Sequence, residues 1–303
     1  MPDDNPHPTA HNGPAALPQF EANMALRINH NIPSLAVQRA LATTNRELSV
    51  AVERLSSGLR INKAWDDPAG LAVSEKFRAQ ISSMVEAERN TSQGINLLAT
   101  AEGAMAILDE KLIRMRSLSV EAANGTLTSL DRSYLDVEFQ QLKSEITRIA
   151  SVTNYNGLNL LDGTYSQGSA SGGIQLQVGT YSVNNVDSYK ITINNMTASA
   201  LGIGSVVLTD TAAAQSAITL VDSAINTKDT ERTRIGSFVE RLQFTIQNLQ
   251  VQHENAVDSE STIRDADMAE EMSSFVRAQI LMQSGVAMLA QANQIPRLAL
   301  SLI

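Results

Sequence analysis

The sequence contains no cysteine and few aromatic residues. Only one tryptophan, Trp65, occurs among 303 residues, and aromatic side chains make up 4% of the chain. Without cysteine the chain has no disulfide bond, no thiolate metal site and no thiol nucleophile. A large globular core usually uses aromatic volume, whereas long paired helices need only Leu, Ile, Val, Met and Ala. These absences favour paired helices, in which we expect Trp65 to be a local packing anchor.

Basic residues are outnumbered, since 23 Lys and Arg stand against 32 Asp and Glu and give a formal net charge of −9. Phosphate contacts depend on clustered basic side chains, so this balance argues against nucleic-acid binding. Residues 278–296 carry no charge. Because Gln, Asn and Ser interrupt this stretch, it favours a helix that packs on protein, and we expect no membrane insertion.

The first residues, 1–23, differ in composition from the remainder of the chain. They are rich in proline and contain no Lys, no Arg and no apolar core. This composition is typical of a disordered leader and not of a cleaved secretory signal peptide.

The last forty residues carry the clearest pattern in the sequence. Residues recur there at alternating steps of four and three, a heptad register that places them on one helix face. A terminal helix with such an apolar face needs a partner helix. The members of this register are Met268, Met272, Phe275, Gln279, Met282, Val286, Leu289, Asn293, Pro296 and Leu300.

A second heptad register lies near the other end of the chain and supplies a candidate partner helix within the same molecule. The run from Asp66 to Gly70 interrupts it, because Pro68 disfavours helix at Asp67. We interpret this run as a turn with an N-capping Asp, not as a carboxylate pair for acid–base chemistry. The members of the second register are Leu41, Leu48, Val52, Leu55 and Leu59, with Asn45 at the open step.

Three further heptad runs and a β-rich segment complete the pattern. Helical registers run over 98–119, 135–149 and 235–256. Between them, alternating apolar residues predict a β-hairpin with one buried face, formed by Ile174, Leu176, Val178, Tyr189, Ile191 and Ile193. The predicted fold class is mainly α, an elongated out-and-back helical coiled-coil rod with a small β-hairpin insertion between N- and C-terminal helical halves.

Patterns for catalysis or metal binding are incomplete. His253 begins the string HENAV, where Val257 stands at the position of the second histidine that an H-E-x-x-H zinc site needs. The acidic group between Asp265 and Glu271 fits the positive end of a helix dipole better than a metal site. The sequence has no phosphate-binding glycine loop or nucleophile elbow. We therefore predict no enzyme activity, no catalytic residue, no cofactor and no metal.

Four longer strings resemble bacterial flagellin, over residues 24 to about 160 and about 210 to the end. They are MALRINHNIPSLAVQRAL from Met24, RLSSGLRINKAWDDPAGLAVSEKFRAQI from Arg54, ERNTSQGINLLATAEGAM from Glu88 and the closing ESTIRDADMAEEMSSFVRAQILMQSGVAMLAQANQIP. The resemblance implies a structural subunit that polymerises into the bacterial flagellar filament for swimming motility. Since flagellins of this type usually begin at the Met of MALRINHN, we expect residues 1–23 to be an over-extended start or an unusual leader.

The resemblance also implies how the chain is divided. In flagellins the terminal helices pair as a coiled coil in the inner tube of the filament, and a helical rod lies outside it. We therefore predict a leader over 1–23, inner-tube segments over 24–65 and 264–303, rod segments over 66–161 and 211–263, and a short variable segment with the hairpin over 162–210.

By the same resemblance the chain is extracellular and is exported through a type III apparatus without a cleaved signal peptide. Its implied partners are other copies of itself, the flagellar cap, the junction proteins and an export chaperone. We expect the filament-assembly seam to consist of Leu41, Leu48, Val52, Leu55, Met272, Phe275, Met282, Val286 and Leu289.

Arg114, Leu118 and Glu138 fall at positions where recognised flagellins contact the flagellin-sensing Toll-like receptor, although Ile113 replaces a usual Gln. The resemblance therefore implies an innate-receptor partner. Without that partner, each of the three residues is expected to be an exposed helical residue that serves subunit packing.

Three alternatives remain open. A hook–filament junction protein would share the same terminal helices. A proteolytic flagellin would carry an enzyme in its variable segment, but the short insertion and Val257 argue against this. A membrane-active translocator coiled coil would require residues 278–296 to insert into lipid.

Overall fold

The computed structural model describes residues 30–169, 172–183 and 186–301, with side chains in the last helix up to 294. The predicted leader 1–23 and the expected start at Met24 lie outside the described residues, as do the side chains of Pro296 and Leu300. The chain divides into two compact units. Unit 1 combines Met1–Asn62 with Ala266–Ile303, and unit 2 is Lys63–Asp265.

The fold is mainly α, as predicted, with small antiparallel hairpins between the helical halves. Among the described residues, no helix combines the length and the apolar character needed to cross a membrane. Unit 1 contains α1 (Ile32–Ser57) and α5 (Met268–Ser301). Unit 2 contains α2 (Pro68–Ala122), α3 (Ser129–Val152), β1 (Asn154–Tyr155), β2 (Leu158–Asn159), β3 (Ile174–Gln177), β4 (Ser188–Ile191) and α4 (Thr211–Arg264).

Side-chain caps determine where the helices begin. The Asn31 side chain accepts a hydrogen bond from a backbone N–H three residues on, at the start of α1. Asp67 does the same at the start of α2 with a distance of 2.9 Å, which confirms the predicted N-capping Asp. At α3, Thr128 and Asp131 form a reciprocal capping box. Gly58 ends α1 with φ +72°, a left-handed conformation that favours glycine.

The heptad runs predicted in unit 2 form its core. Helices α2 and α4 run antiparallel, because Arg116 pairs with Asp222 at 2.5 Å whereas Glu75 pairs with Arg264 at 3.0 Å. Helix α3 packs against α2. The fully or nearly buried members of the predicted runs are Leu98, Met105, Leu108, Leu112, Met115 and Ser119 of α2, Phe139, Ile146 and Ile149 of α3, and Ile235, Leu242, Leu249 and Ala256 of α4.

The β-rich segment forms two hairpins, of which the longer one was predicted. Strands β3 and β4 pair antiparallel with Ile174 opposite Ile191 and Leu176 opposite Tyr189. Its continuation through Val178, and Ile193 after β4, is also buried, so the predicted single buried face is confirmed. The shorter β1–β2 hairpin turns at Asn156-Gly157, where both residues have positive φ.

Trp65 is not the packing anchor that we expected. Its side chain is 78% exposed. The turn that carries it explains the difference, because the backbone N–H of Asp66 donates to the Lys63 carbonyl at 3.0 Å and the Asp66 carboxylate accepts from the Lys63 N–H at 2.9 Å. These bonds fix the turn without the indole, which carries only the Lys63 ammonium 5.3 Å from its ring centroid.

Two glycines of α2 test how closely the longer hairpin packs. At Gly103 an added methyl group meets no atom within 4 Å, so Gly103→Ala should stabilise the helix by about 0.5–1 kcal/mol. At Gly94 the same methyl group would overlap the end of the Leu176 side chain, which must then move. We predict that Gly94→Ala is less stable than Gly103→Ala by about 1–3 kcal/mol in denaturant unfolding. Equal stability of the two variants would contradict the close helix–hairpin contact.

Candidate assembly interface

Unit 1 is an antiparallel pair of helices from the two ends of the chain. At one end of the pair, the Asn31 side-chain amide donates to the Ala292 carbonyl at 3.0 Å. At the other end, the Arg54 guanidinium donates to the Glu271 carboxylate at 2.7 Å. Beyond it, the backbone N–H of Ala266 donates to the Gly58 carbonyl at 3.0 Å. Polar contacts therefore lie at both ends of the helix pair, and mainly apolar side chains pack between these ends.

The packed faces of α1 and α5 both follow a heptad register, and we name them together the intramolecular seam. Most of their members are less exposed than the residues beside them, and the members recur at alternating steps of three and four. They are Ser34, Val37, Leu41, Thr44, Leu48, Ala51 and Leu55 from α1 with its C-cap Gly58, and Glu271, Phe275, Ala278, Met282, Gly285, Leu289 and Ala292 from α5.

Six of the nine predicted seam residues belong to the intramolecular seam, namely Leu41, Leu48, Leu55, Phe275, Met282 and Leu289. The other three do not face the partner helix within the chain, and their place in the filament-assembly seam stays a prediction. Val52, Met272 and Val286 are 47%, 48% and 57% exposed. Ala51, Glu271 and Gly285, each one position earlier in the sequence, face the partner helix instead. At these steps the observed register is therefore displaced by one residue from the predicted register.

Small residues accompany two of these displacements, at Ala51 and Gly285, and were missed in the sequence, whereas Glu271 pairs with Arg54. Ala278, Gly285 and Ala292 recur every seven residues on the packed face of α5. A methyl group added at Gly285 would lie 2.5 Å from Cδ2 of Leu41, so Leu41 packs directly against the backbone of α5 at this glycine. The heptad of small residues was visible in the sequence, but a search for large apolar side chains passes over it.

Outside the intramolecular seam, unit 1 exposes many large apolar side chains, which we name the outer apolar surface. Exposed apolar side chains that gather on a surface usually mark a site of interaction. On α5 the exposed residues include a run at steps of four that lies along one side of the helix. The members are Ile32, Leu35, Val50 and Val52 of α1, and Met268, Met272, Val276, Ile280, Leu281, Val286 and Met288 of α5.

The three candidate receptor residues lie in unit 2. Arg114 and Glu138 form a bidentate pair, with N–O distances of 2.7 and 3.1 Å, and both side chains are about half exposed. The hydrogen bond from Arg114 lowers the pKa of the Glu138 carboxyl below its ordinary value. Leu118 is fully buried, so its expected exposure is wrong. The reason is that it lies on the face of α2 that forms the core.

The residues considered for metal binding or catalysis are spread apart or used in folding. His253 is half-buried in α4, and Asp267 accepts a hydrogen bond from the backbone N–H of Ala269 at the start of α5. Within the described ranges, no group of three or more His, Asp or Glu side chains is arranged to hold a metal ion. The physical features of this chain that call for a partner are therefore apolar surfaces.

Comparison with known families identifies the chain. The family model for the bacterial flagellin N-terminal helical region matches residues 28–166, and the model for the C-terminal helical region matches residues 218–303. The chain belongs to the bacterial flagellin family. The matched segments include both helices of the intramolecular seam and most of the core of unit 2.

Individual flagellins and filament proteins are similar along nearly the whole chain. The flagellar filament 33 kDa core protein of Treponema phagedenis is 41% identical over 283 residues, covering 91% of this chain and 99% of the relative. The flagellin of Bacillus subtilis is 40% identical over 306 residues, covering 92% and 100%. A solved structure of a candidate flagellar hook-associated protein from Vibrio parahaemolyticus shares the fold, with 18% identity, a TM-score of 0.54 and coverage of 66% of this chain and 100% of that chain.

As a flagellin, the chain is a structural subunit of the bacterial flagellar filament. The hook–filament junction alternative is not favoured, because the relatives that match over nine-tenths of the chain are flagellins and filament core proteins. The hook-associated likeness, at 18% identity, concerns the fold alone.

The close approach of Leu41 and Gly285 gives a test of the intramolecular seam. We expect Gly285→Ala to lower filament stability, because the new methyl group cannot fit beside Leu41. Leu41→Ala removes the obstructing atoms, so the double variant should be more stable than the sum of the two single changes predicts, by about 1–2 kcal/mol. Thermal depolymerisation of filaments from the four proteins measures this coupling. Additive effects would contradict direct contact between the two residues.

Proposed function

We propose that each copy pairs its own α1 and α5 through the intramolecular seam and joins other copies in the filament through the outer apolar surface. The observation that carries this proposal is the exposure of Val52, Met272 and Val286 beside a seam that is already packed. Burying such side chains on association is favourable by about 25 cal/mol per Å² of apolar surface.

The same proposal gives the predicted segments their roles. Residues 24–65 and 264–303 build the inner tube, 66–161 and 211–263 build the rod, and 162–210 form the short variable segment. Support comes from the two compact units, whose limits at Asn62 and Ala266 lie within a few residues of the predicted limits. A contact between different surfaces of identical copies does not close on itself, and it therefore extends into a helical polymer.

We also infer the finer steps of location and partnership from the flagellin family. The chain is exported without a cleaved signal peptide, and its filament lies outside the cell. The flagellar cap, the junction proteins and an export chaperone are its further partners. The exposed apolar surface of unit 1 supports a chaperone, because the described residues of an unassembled copy leave it uncovered.

Two exposed positions on α5 test the outer apolar surface. Val286 belongs to it, whereas Ser273 is an exposed polar residue whose neighbours one turn away, Ala269 and Arg277, are not members of it. Val286→Asp places a charge where another copy should pack, and a buried unpaired charge costs several kcal/mol. We predict that Val286→Asp abolishes polymerisation of purified protein, while Ser273→Asp polymerises normally.

Sedimentation and electron microscopy measure the outcome of this comparison, and the melting temperature of unit 2 is the control for folding. Both variants should keep that melting temperature, because neither residue lies in unit 2. Normal filaments from Val286→Asp would remove the outer apolar surface from the proposal.

Recognition by the flagellin-sensing Toll-like receptor is a second proposal, and it now depends on the exposed Arg114–Glu138 pair because Leu118 is buried. Loss of a charge-assisted contact costs about 1.5–3 kcal/mol, which corresponds to about tenfold or more in affinity. We predict that Arg114→Ala raises the concentration for half-maximal response in reporter cells by about tenfold. Arg116→Ala is the matched control, since Arg116 is equally exposed and pairs with Asp222. Equal responses from the two variants would exclude Arg114 as a receptor contact.

A further inference from the structure

Unit 2 contains an apolar groove that its own chain leaves open. The groove lies between the β3–β4 hairpin and α4 and has a volume of about 410 Å³. Its floor includes the buried side chains of Val178 and Leu249. Three of its lining residues, Tyr181, Val186 and Phe244, are 63%, 67% and 67% exposed. We name it the hairpin groove.

The composition of the hairpin groove is typical of a protein–protein contact. Tyr181, Tyr189 and Phe244 supply aromatic surface, and the Arg241 guanidinium lies 4.1 Å from the centroid of the Tyr189 ring. Aromatic and Arg side chains are enriched where association energy concentrates. The stacking on Tyr189 also holds Arg241 in place, so less side-chain entropy is lost when a partner arrives.

A complementary surface occurs on α3 of the same unit. Leu130, Tyr134 and Val137 are 60%, 65% and 62% exposed. Their spacing of four and then three residues places them along one side of the helix. It is the spacing of the anchors that an amphipathic helix inserts into an apolar groove. We name these three residues the α3 stripe. The opposite side of α3 is buried in the core of unit 2 through Phe139 and Ile146.

Within one chain, the α3 stripe does not fill the hairpin groove. The start of α3 lies beside the end of α2, where Arg132 donates to the Ala122 carbonyl at 2.9 Å. The hairpin meets α2 at Gly94 instead. At 1.5 Å per residue these levels of α2 are roughly 40 Å apart. Among the described residues of a single copy both surfaces remain exposed, so each is available to another copy.

We propose that the α3 stripe of one copy docks into the hairpin groove of a second copy. The filament consists of identical chains, so every copy brings both surfaces. A contact between two different surfaces is heterologous and continues from copy to copy. Because the surfaces lie at different levels along α2, each contact displaces the next copy along that helix. This inference adds a contact between unit 2 domains and rests on assembly into a filament, but not on the outer apolar surface of unit 1.

The absence of cysteine makes a direct test simple, because any introduced pair of thiols is the only one present. A chain carrying both Val137→Cys and Phe244→Cys is polymerised, treated with a short bismaleimide and separated on a denaturing gel. We expect a ladder of dimers, trimers and larger species, since each copy carries one thiol of each surface. The unpolymerised protein at the same concentration should remain monomeric.

A matched control uses Leu220→Cys with Phe244→Cys. Leu220 is on α4 and is 40% exposed, and the Arg116–Asp222 pair places it near the same level of α2 as the α3 stripe, roughly 36 Å from Phe244 along α4. The proposal is overturned if filaments with Val137→Cys give no more ladder than this control. If the double variant does not polymerise alone, the two single variants are copolymerised together with an excess of the unchanged chain. Filaments that contain only one of the two single variants beside the unchanged chain serve as controls. A dimer only where both variants are present supports the contact, and its absence overturns it.

The outcome can be separated from that of the proposed function. If the cross-linked filaments give no ladder and Val286→Asp does not polymerise, the α3 contact is rejected and the proposed role of the outer apolar surface stands. A ladder in filaments, together with normal polymerisation of Val286→Asp, supports the α3 contact and rejects the outer apolar surface. Cross-linked species that form in unpolymerised protein would indicate association outside the filament and would contradict the role in assembly.

Discussion

The pairing of α1 with α5 is the contact on which unit 1 depends. Its hydrogen bonds join residues that are 217 and 261 positions apart in the sequence, so the pairing closes a very long loop. The entropic cost of closure grows only slowly with loop length. Unit 2 lowers this cost, because Glu75 near the start of α2 pairs with Arg264 at the end of α4. The two ends of unit 2 at which the chain continues into unit 1 are therefore close to each other. Folding of unit 2 thus reduces the number of arrangements that the terminal helices must sample before they pair.

Long heptad helices also need something that selects one register, since a slip by seven residues keeps apolar faces together. In unit 2 this selection comes from buried charge. The Lys228 ammonium is buried and donates to the Asp109 carboxylate at 2.5 Å, and the buried Glu231 carboxylate accepts from the backbone and the side chain of Asn194. A slipped register would remove Asp109 and Asn194 as partners and leave only Asp229 and Arg234, which belong to α4 itself, so the slip is unfavourable. In unit 1 the selection is largely steric, because only Gly285 leaves room for Leu41.

The sequence was sufficient to predict the helices, the longer hairpin and the cores of α2, α3 and α4, because large apolar residues at regular spacing carry that information. It was not sufficient where a small residue or a turn determines which side chain faces inward. Gly285 and Ala278 shifted the seam by one residue, and side-chain size alone did not indicate which neighbour faces inward. Leu118 is buried directly beside Ser119, the last member of a heptad run that the sequence showed, yet the family resemblance suggested a surface position. Trp65 is held outward by hydrogen bonds of the backbone and of Asp66, which no hydrophobic pattern reports.

The apolar side chains of unit 1 fall into two groups, those that pack between α1 and α5 and those that remain on the surface, and small residues of the seam separate the two groups. Ala51 and Gly285 let the helices approach closely, so the heptad leucines and their neighbours are sufficient to pair α1 with α5. The larger Val52 and Val286, each one residue further on, are left on the surface. These side chains cannot turn inward without separating the helices, because the inward positions are already filled. Their removal from water therefore requires another molecule, and in a filament of identical chains the nearest such molecule is the next copy.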